Sequence, residues 1–417
     1  MLKKIKNIRK KFGTDELLKG SIILFVMIGL FNIFNYLFQI SMARMLGPAD
    51  YSILAVLMSF LYIFGIPTEA IQTIITKYAS KFNPRRKKGQ LKDLLYRSLR
   101  KAWIVSIILY ILFIPFAIIF SKLLDINFFL ILLTGLFIFY AITLPVIRGI
   151  LQGMKRFSSM GWNLVLESSI KFLVGLALVY FGLKVWGAIG SFIIGSTFAF
   201  ALVFIVIKDI IKSKRKGEIY DNIISYNLPI LVAITAIVLI YSLDVILVRR
   251  YFSPEIAGQY AFVSLIGKTI LFSSFAIGKA MFPLSSQNFE KKKNTLSIFK
   301  KSLIITFLVA IIALILFFIA PNTIVKLLSL GDTRYLGAAN ILFLSGLSFS
   351  FASFSYIMIL YNVSINKMKK SSWGLLVFVA LQFILLKLFN QTLMTFTFAL
   401  MVVNLLMLIY NIWITKK

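Results

Sequence analysis

Apolar residues run along this 417-residue chain in long blocks separated by short polar breaks. Twelve blocks stand out, at roughly 20–43, 51–76, 102–121, 127–150, 159–182, 185–207, 224–248, 257–286, 302–321, 336–361, 371–389 and 393–414. Each holds about the 20 mostly apolar residues that a helix needs to cross a bilayer. The longest break, 77–101, has 25 residues, which leaves no room for a soluble domain. The pattern predicts an all-α polytopic membrane protein with about twelve transmembrane helices.

The polar breaks supply an orientation. With the breaks assigned to alternate sides, 34 of the 46 Lys and Arg residues fall on one side, eight on the other and four inside the blocks. Short loops rich in Lys and Arg stay in the cytoplasm. Both termini are therefore expected there, in a multi-pass protein of the cell membrane. The alternation holds through all twelve blocks and so supports their number. The net charge of +32 then reads mostly as a topology signal. The basic run from Pro84 to Lys88 suits anionic lipid headgroups better than nucleic acid. The first block is too long for a secretory signal and lacks a convincing A-x-A cleavage site.

Composition narrows the chemistry. The chain is 60% hydrophobic and 14% charged, against about 25% charged in soluble domains, and its mean hydropathy is +0.92. It has no Cys, which excludes disulfides, thiolate metal sites and palmitoyl anchors, and no His, the commonest metal ligand. No cofactor or metal is expected, and any proton relay has to rest on carboxylates.

Two external loops resemble each other. Residues 43–55 read ARMLGPADYSILA and residues 249–261 read RRYFSPEIAGQYA, sharing Arg44/Arg250, Pro48/Pro254 and Ala55/Ala261 at an offset of 206. A second pair of short basic loops, Met154–Gly161 (MKRFSSMG) and Lys367–Gly374 (KMKKSSWG), agrees at an offset of 213. Loops selected by the positive-inside rule resemble each other by composition alone, but two parallel six-helix halves account for the order as well. Many transporters are built that way, with substrate bound in a central cavity between the halves. The expected organisation is a basic N-terminus (1–19), an N-terminal six-helix lobe (20–207), a basic linker (208–223) and a C-terminal six-helix lobe (224–417).

Several of these residues stand in a familiar order. The first loop has Gly47, Pro48 and Ala55; the second has Pro254, Gly258, Tyr260 and Ala261. Leu243-Asp244 lies near the end of the seventh block, Ile150-Leu151-Gln152-Gly153-Met154-Lys155-Arg156-Phe157 closes the fourth, and Gly187-Ala188-Ile189-Gly190 opens the sixth. In this order and spacing the whole chain resembles the polysaccharide-transport and O-antigen flippase branch of the multidrug/oligosaccharidyl-lipid/polysaccharide exporter superfamily. Ser52, Leu54 and Ser253 stand where that branch usually has Gly, Tyr and Gly, at turn and packing positions. The resemblance implies a transporter, not an enzyme. Its substrate would be a lipid-linked oligosaccharide, a polyprenyl pyrophosphate carrying a glycan, flipped to the outer leaflet for cell-surface polysaccharide or lipopolysaccharide. A monomer is expected, working beside other polysaccharide-assembly proteins.

Charged side chains inside a span cost at least about 2.5–3.5 kcal/mol on insertion scales, so each is a site candidate. Asn163, Glu167 and Lys171 recur every four residues in the fifth block and form one stripe. Glu167 and Lys171 either pair structurally or line a cavity. Lys268 and Lys279 are eleven residues apart, close to three helical turns, with no carboxylate three or four residues from either. They read as anion-binding cations, with snorkelling to the interface the competing reading for Lys279. Asn32, Asn35 and Gln39 form an amide stripe that suits sugar hydroxyls or helix–helix glue. Glu69 follows Pro67, which frees a carbonyl, and can form an ion site or pack on a base such as Arg148. Asp244 can carry a coupling ion or pair with Arg249 or Arg250.

These candidates fit an anionic headgroup. Lys171, Lys268, Lys279 and Arg148 would hold the pyrophosphate, and Asn32, Asn35, Gln39 and Asn163 the sugars. Glu69, Glu167 and Asp244 are the candidates for coupling H⁺ or Na⁺. A multidrug or cation exporter of the same superfamily would need an acidic cavity instead. A polytopic glycosyltransferase or polymerase would need acidic residues in large external loops, and here only Asp50, Asp125, Glu255 and Asp332 lie in short ones.

Overall fold

A computed structural model describes residues 16–82, 88–217, 228–365, 367 and 372–416. The basic residues at 3–11, 85–87, 369, 370 and 417, with parts of the N-terminal segment, the linker and the Lys367–Gly374 loop, lie outside the described residues. Among the described residues all regular structure is helical. In chain order the helices are α1 (Glu16–Phe64), α2 (Thr68–Ser80), α3 (Lys88–Leu124), α4 (Phe128–Gly135), α5 (Phe137–Gly153), α6 (Phe157–Leu178), α7 (Lys184–Val206) and α8 (Lys208–Ile211). They continue with α9 (Leu228–Tyr251), α10 (Pro254–Glu290), α11 (Leu296–Ile319), α12 (Pro321–Leu328), α13 (Leu342–Ser364), α14 (Gly374–Leu388) and α15 (Leu393–Lys416). A π-helical turn (Val179–Leu183) precedes α7, and a 3₁₀ segment (Thr333–Ile341) precedes α13.

Nine stretches among the described residues are long and apolar enough to cross a membrane, so the chain is a multi-pass helical membrane protein. Two are far longer than one crossing requires: Val26–Ser80 with 55 residues and Phe157–Val206 with 50. Each contains a sharp break. In α1 it falls at Gly47 (φ 72, ψ 172), followed by Pro48, which has no N–H to continue the helical ladder. Between α6 and α7 it falls at Gly182 (φ 89) and Lys184 (φ 45). Gly374–Leu388 is a shorter apolar helix.

The described chain divides into two compact units. The first comprises residues up to Met42, then Pro67–Lys122 and Ile126–Ser225. The second comprises Ala43–Ile66, Leu123–Asp125 and Tyr226–Lys417.

Within the first unit, α2 and α5 approach closely because α5 presents Gly149 and Gly153 on one face. A methyl group at Gly149 would lie 2.8 Å from the Gln72 carbonyl, and one at Gly153 would lie 2.5 Å from Ala79 Cβ. This small-xxx-small spacing lets backbones meet where no hydrophobic effect drives helices together. Side-chain hydrogen bonds reinforce the contact: Gln72 Nε2 donates to Gln152 Oε1 at 2.8 Å, and Thr68 Oγ1 donates to the Ala141 carbonyl at 3.0 Å.

Within the second unit, the two look-alike loops pack directly on each other. A Cβ at Gly258 would fall 1.7 Å from the Pro48 carbonyl oxygen, so only glycine lets the first turn of α10 lie against that loop. Arg249 Nη1 donates to Ser52 Oγ at 2.9 Å, and Tyr51 meets Phe262 edge-on with ring centroids 6.0 Å apart. The kink is braced from the 3₁₀ segment. Tyr335 donates to the Ala43 carbonyl at 2.7 Å, and the Arg334 guanidinium lies where a Gly47 side chain would be. Arg334 is in turn held by Asp332, with Nη2–Oδ2 at 2.7 Å. The two loops solve the same problem differently: the first bends through Gly47, whereas the second breaks and restarts with Pro254 at the first position of α10.

Candidate functional site

The first unit buries a polar cluster on α5, α6 and α7. Arg148 Nε donates to Asn163 Oδ1 at 2.9 Å, and its Nη2 forms an ion pair with Glu167 Oε2. The other Glu167 oxygen accepts from Ser196 Oγ at 2.6 Å, and Asn163 Nδ2 donates to the Ala199 carbonyl at 2.7 Å. One turn further along α6, the buried Lys171 ammonium donates to Asn35 Oδ1 on α1. It also sits over the rings of Phe192 and Phe38, 4.5 and 5.1 Å from their centroids. Those two rings meet edge-on at 5.2 Å and form an aromatic seat for the cation. No carboxylate among the described residues forms a salt bridge with Lys171. The cluster therefore holds two cations against one carboxylate, and the excess charge resides on Lys171.

The second unit buries a separate and balanced cluster. Lys268 Nζ lies 3.0 Å from Asp244 Oδ1 and 2.9 Å from Oδ2. Oδ2 also accepts from Ser264 Oγ at 2.7 Å and from Tyr260 Oη at 3.2 Å. The Phe349 ring faces the ammonium at 5.2 Å. Here one cation meets one carboxylate, and hydroxyls satisfy the remaining acceptor capacity.

The buried partners differ from several that the sequence offered. Lys268 is not an unpaired cation: its carboxylate comes from α9, outside the reach of any spacing rule along α10. Asp244 accordingly pairs with Lys268; Arg249 instead donates to the Asp125 carbonyl and Ser52, and Arg250 is exposed. Glu167 takes Arg148 from α5 as its ion-pair partner, while Lys171 on the neighbouring turn reaches Asn35. Arg148 is thus committed to α6 and not to Glu69.

Asn32 and Glu69 are exposed, Gln39 is buried, and Lys279 is exposed on α10, away from the buried end that holds Lys268. Phe38, Phe192, Ser196, Tyr260, Ser264 and Phe349 were missed by sequence reasoning. Part of that was readable: Tyr260, Ser264 and Lys268 recur every four residues and so share a helix face.

The fold is a bundle of broken helices with buried ion pairs, that of a polytopic helical membrane protein. A family described as polysaccharide biosynthesis protein matches residues 17–289, more than half of the chain, and the chain belongs to that family. Its fold is similar to an inward-facing multidrug-resistance MATE transporter of the MOP superfamily, with a TM-score of 0.75 at 13% identity over 94% of this chain and 97% of that one. It is similar to the lipid II flippase MurJ in an inward closed conformation, with a TM-score of 0.72 at 15% identity over 95% and 88%. A third similar structure is a MOP-superfamily transporter from Pyrococcus furiosus, described as having a binding pocket of reversed polarity, with a TM-score of 0.57 at 13% identity over 96% of both chains. No curated protein matches the chain.

Proposed function

We propose that this protein flips a lipid-linked oligosaccharide, a polyprenyl-pyrophosphate glycan, from the cytoplasmic to the outer leaflet by alternating access. The observation that carries this reading is the excess buried cation at Lys171, which suits an anionic headgroup. A multidrug exporter of the same superfamily has to hold cations, and a site with surplus positive charge repels them. Lys171 and Arg148 would meet the pyrophosphate and Asn35 and Asn163 the sugars, each after exchanging its present partner for substrate. Asn32 and Gln39 on α1 and Lys268 and Lys279 on α10 complete the proposed set.

In this reading the chain crosses the membrane twelve times in two six-helix halves, 20–207 and 224–417, with both termini in the cytoplasm. Three observations support it. The 55- and 50-residue stretches break at Gly47 and Gly182 into lengths that each suit one crossing. The shorter Gly374–Leu388 helix supplies a further crossing. Basic residues gather on one side under the alternation that twelve crossings produce. An inside-negative potential favours outward movement of an anionic headgroup by about 2.3 kcal/mol per charge per 100 mV. Glu167 and Asp244 are paired with Arg148 and Lys268, so a coupling H⁺ or Na⁺ at either has to displace an internal cation; Glu69 is the third candidate.

The test is reconstitution in liposomes with a lipid-linked oligosaccharide on one side and cationic dye inside. Protein-dependent exposure of the glycan on the far leaflet, without dye efflux, is the expected result. Dye efflux without glycan exposure would assign the protein to the exporter reading.

A further inference from the structure

A furrow at the basic ends of α6 and α7 reaches the Arg148–Glu167 cluster only through Asn163, which lines its inner cavity and accepts from Arg148. Its mouth is a cavity of about 550 Å³ lined by Arg156, Ile205, Val206, Lys208, Asp209 and Lys212. A second cavity of about 240 Å³ shares Val206 and continues between α6 and α7 along Trp162, Leu166, Leu202 and Val203. The mouth sets four charged side chains beside Ile205 and Val206, and the continuation sets Ser158, Ser159 and Asn163 beside its apolar side chains.

The charges of the mouth are fixed by Asp209. Arg156 forks onto it, Nη1–Oδ1 at 3.1 Å and Nη2–Oδ2 at 2.8 Å, and Nη1 also donates to the Val206 carbonyl at 2.8 Å. Lys88 from α3 approaches the same carboxylate at 3.2 Å. Burial alone would push the Asp209 carboxyl up, but these two cations hold it below its ordinary value, so it stays ionised. Its single charge is shared between Arg156 and Lys88. Lys208 and Lys212 are exposed and form no salt bridge among the described residues, so the mouth carries surplus positive charge.

We propose that this furrow binds an anionic phospholipid, with its phosphate at Lys208 and Lys212 beside Arg156 and an acyl chain along Trp162, Leu166 and Leu202. Charge complementarity selects the headgroup, since basic residues at the membrane surface attract anionic lipid. The apolar side chains of the continuation select a lipid over a free phosphate: Trp162 is 51% exposed and Leu166 37% exposed, so the hydrocarbon chain has a surface to cover. The bound lipid would brace α6, the helix that also carries Glu167 and Lys171.

Trp162 makes the proposal measurable. In a variant that keeps Trp162 and changes Trp103, Trp186, Trp373 and Trp413 to Phe, its fluorescence is recorded in zwitterionic liposomes doped with brominated phosphatidylglycerol or brominated phosphatidylcholine. Phosphatidylglycerol should quench at about tenfold lower mole fraction, and Lys208→Gln with Lys212→Gln should remove that preference. Millimolar inorganic phosphate should not relieve the quenching. Native mass spectrometry of the otherwise unchanged protein, with and without the two Gln substitutions, reads the same preference if the Phe replacements impair folding. Equal quenching by both lipids, a preference that survives both substitutions, or relief by inorganic phosphate would overturn the proposal.

Discussion

Lys268 and Asp244, 24 residues apart on neighbouring helices, form a buried ion pair in which the ammonium lies within 3.0 Å of both carboxylate oxygens. Removing one partner of such a pair strands the other charge in a poorly solvated interior, at a cost of about 3–5 kcal/mol, whereas replacing both by apolar groups is often neutral. Asp244→Asn should therefore lower the melting temperature in detergent markedly. Asp244→Asn combined with Lys268→Met should recover most of the loss. Additive losses in the double variant would show that the two side chains do not act as a pair.

Tyr335 and Ala43 provide a second test, at the kink of α1. The Tyr335 hydroxyl is buried and donates to a main-chain carbonyl four residues before Gly47. Tyr335→Phe leaves that acceptor without its partner, which costs about 1–3 kcal/mol. The expected result is a lowered melting temperature; an unchanged one would mean that another donor satisfies the carbonyl.

The contact between Gly258 and Pro48 predicts a steric effect without any change of polarity. Gly258→Ala places a methyl group 1.7 Å from a backbone oxygen, which no side-chain rotation can relieve. Overpacking of this kind costs about 1–3 kcal/mol. Ala substitution at Gly190, where a Cβ meets nothing within 4 Å, serves as the control and should leave stability nearly unchanged.

Asp332 gives a pH dependence with a defined sign. Hydrogen bonds from the Arg334 side chain hold its carboxyl below the ordinary value. A depressed folded-state value means that the stabilisation is complete above the unfolded-state value, about 3.9, and is lost as pH falls through the folded one. The difference in melting temperature between wild type and Asp332→Asn should be constant from pH 8 to about 5 and shrink below about 4. A difference that widens on acidification would contradict the assignment.

The helical class was legible because membrane crossing imposes a length and a polarity on each segment that composition alone reveals. Single-helix chemistry was legible too, since Asn163, Glu167 and Lys171 share a face by spacing. Partners were not. Whether Glu167 meets Lys171 or Arg148 depends on the rotation and depth of α5 against α6, which no periodicity encodes. Lys268 looked unpaired for the same reason, because its carboxylate lies on α9. The look-alike loops were recognisable as strings, but their direct packing through Gly258 and Pro48 depends on a tertiary approach.

The most direct test of the account is the rate at which a lipid-linked oligosaccharide becomes accessible on the far leaflet of proteoliposomes, for wild type and for Lys171→Met. The account predicts protein-dependent flipping by wild type and at least a tenfold loss in Lys171→Met, about 1.4 kcal/mol, while the variant still inserts and melts cooperatively. Restoration by Lys171→Arg would tie the effect to charge. Wild-type flipping no faster than in protein-free liposomes, or an undiminished rate in Lys171→Met, would contradict it.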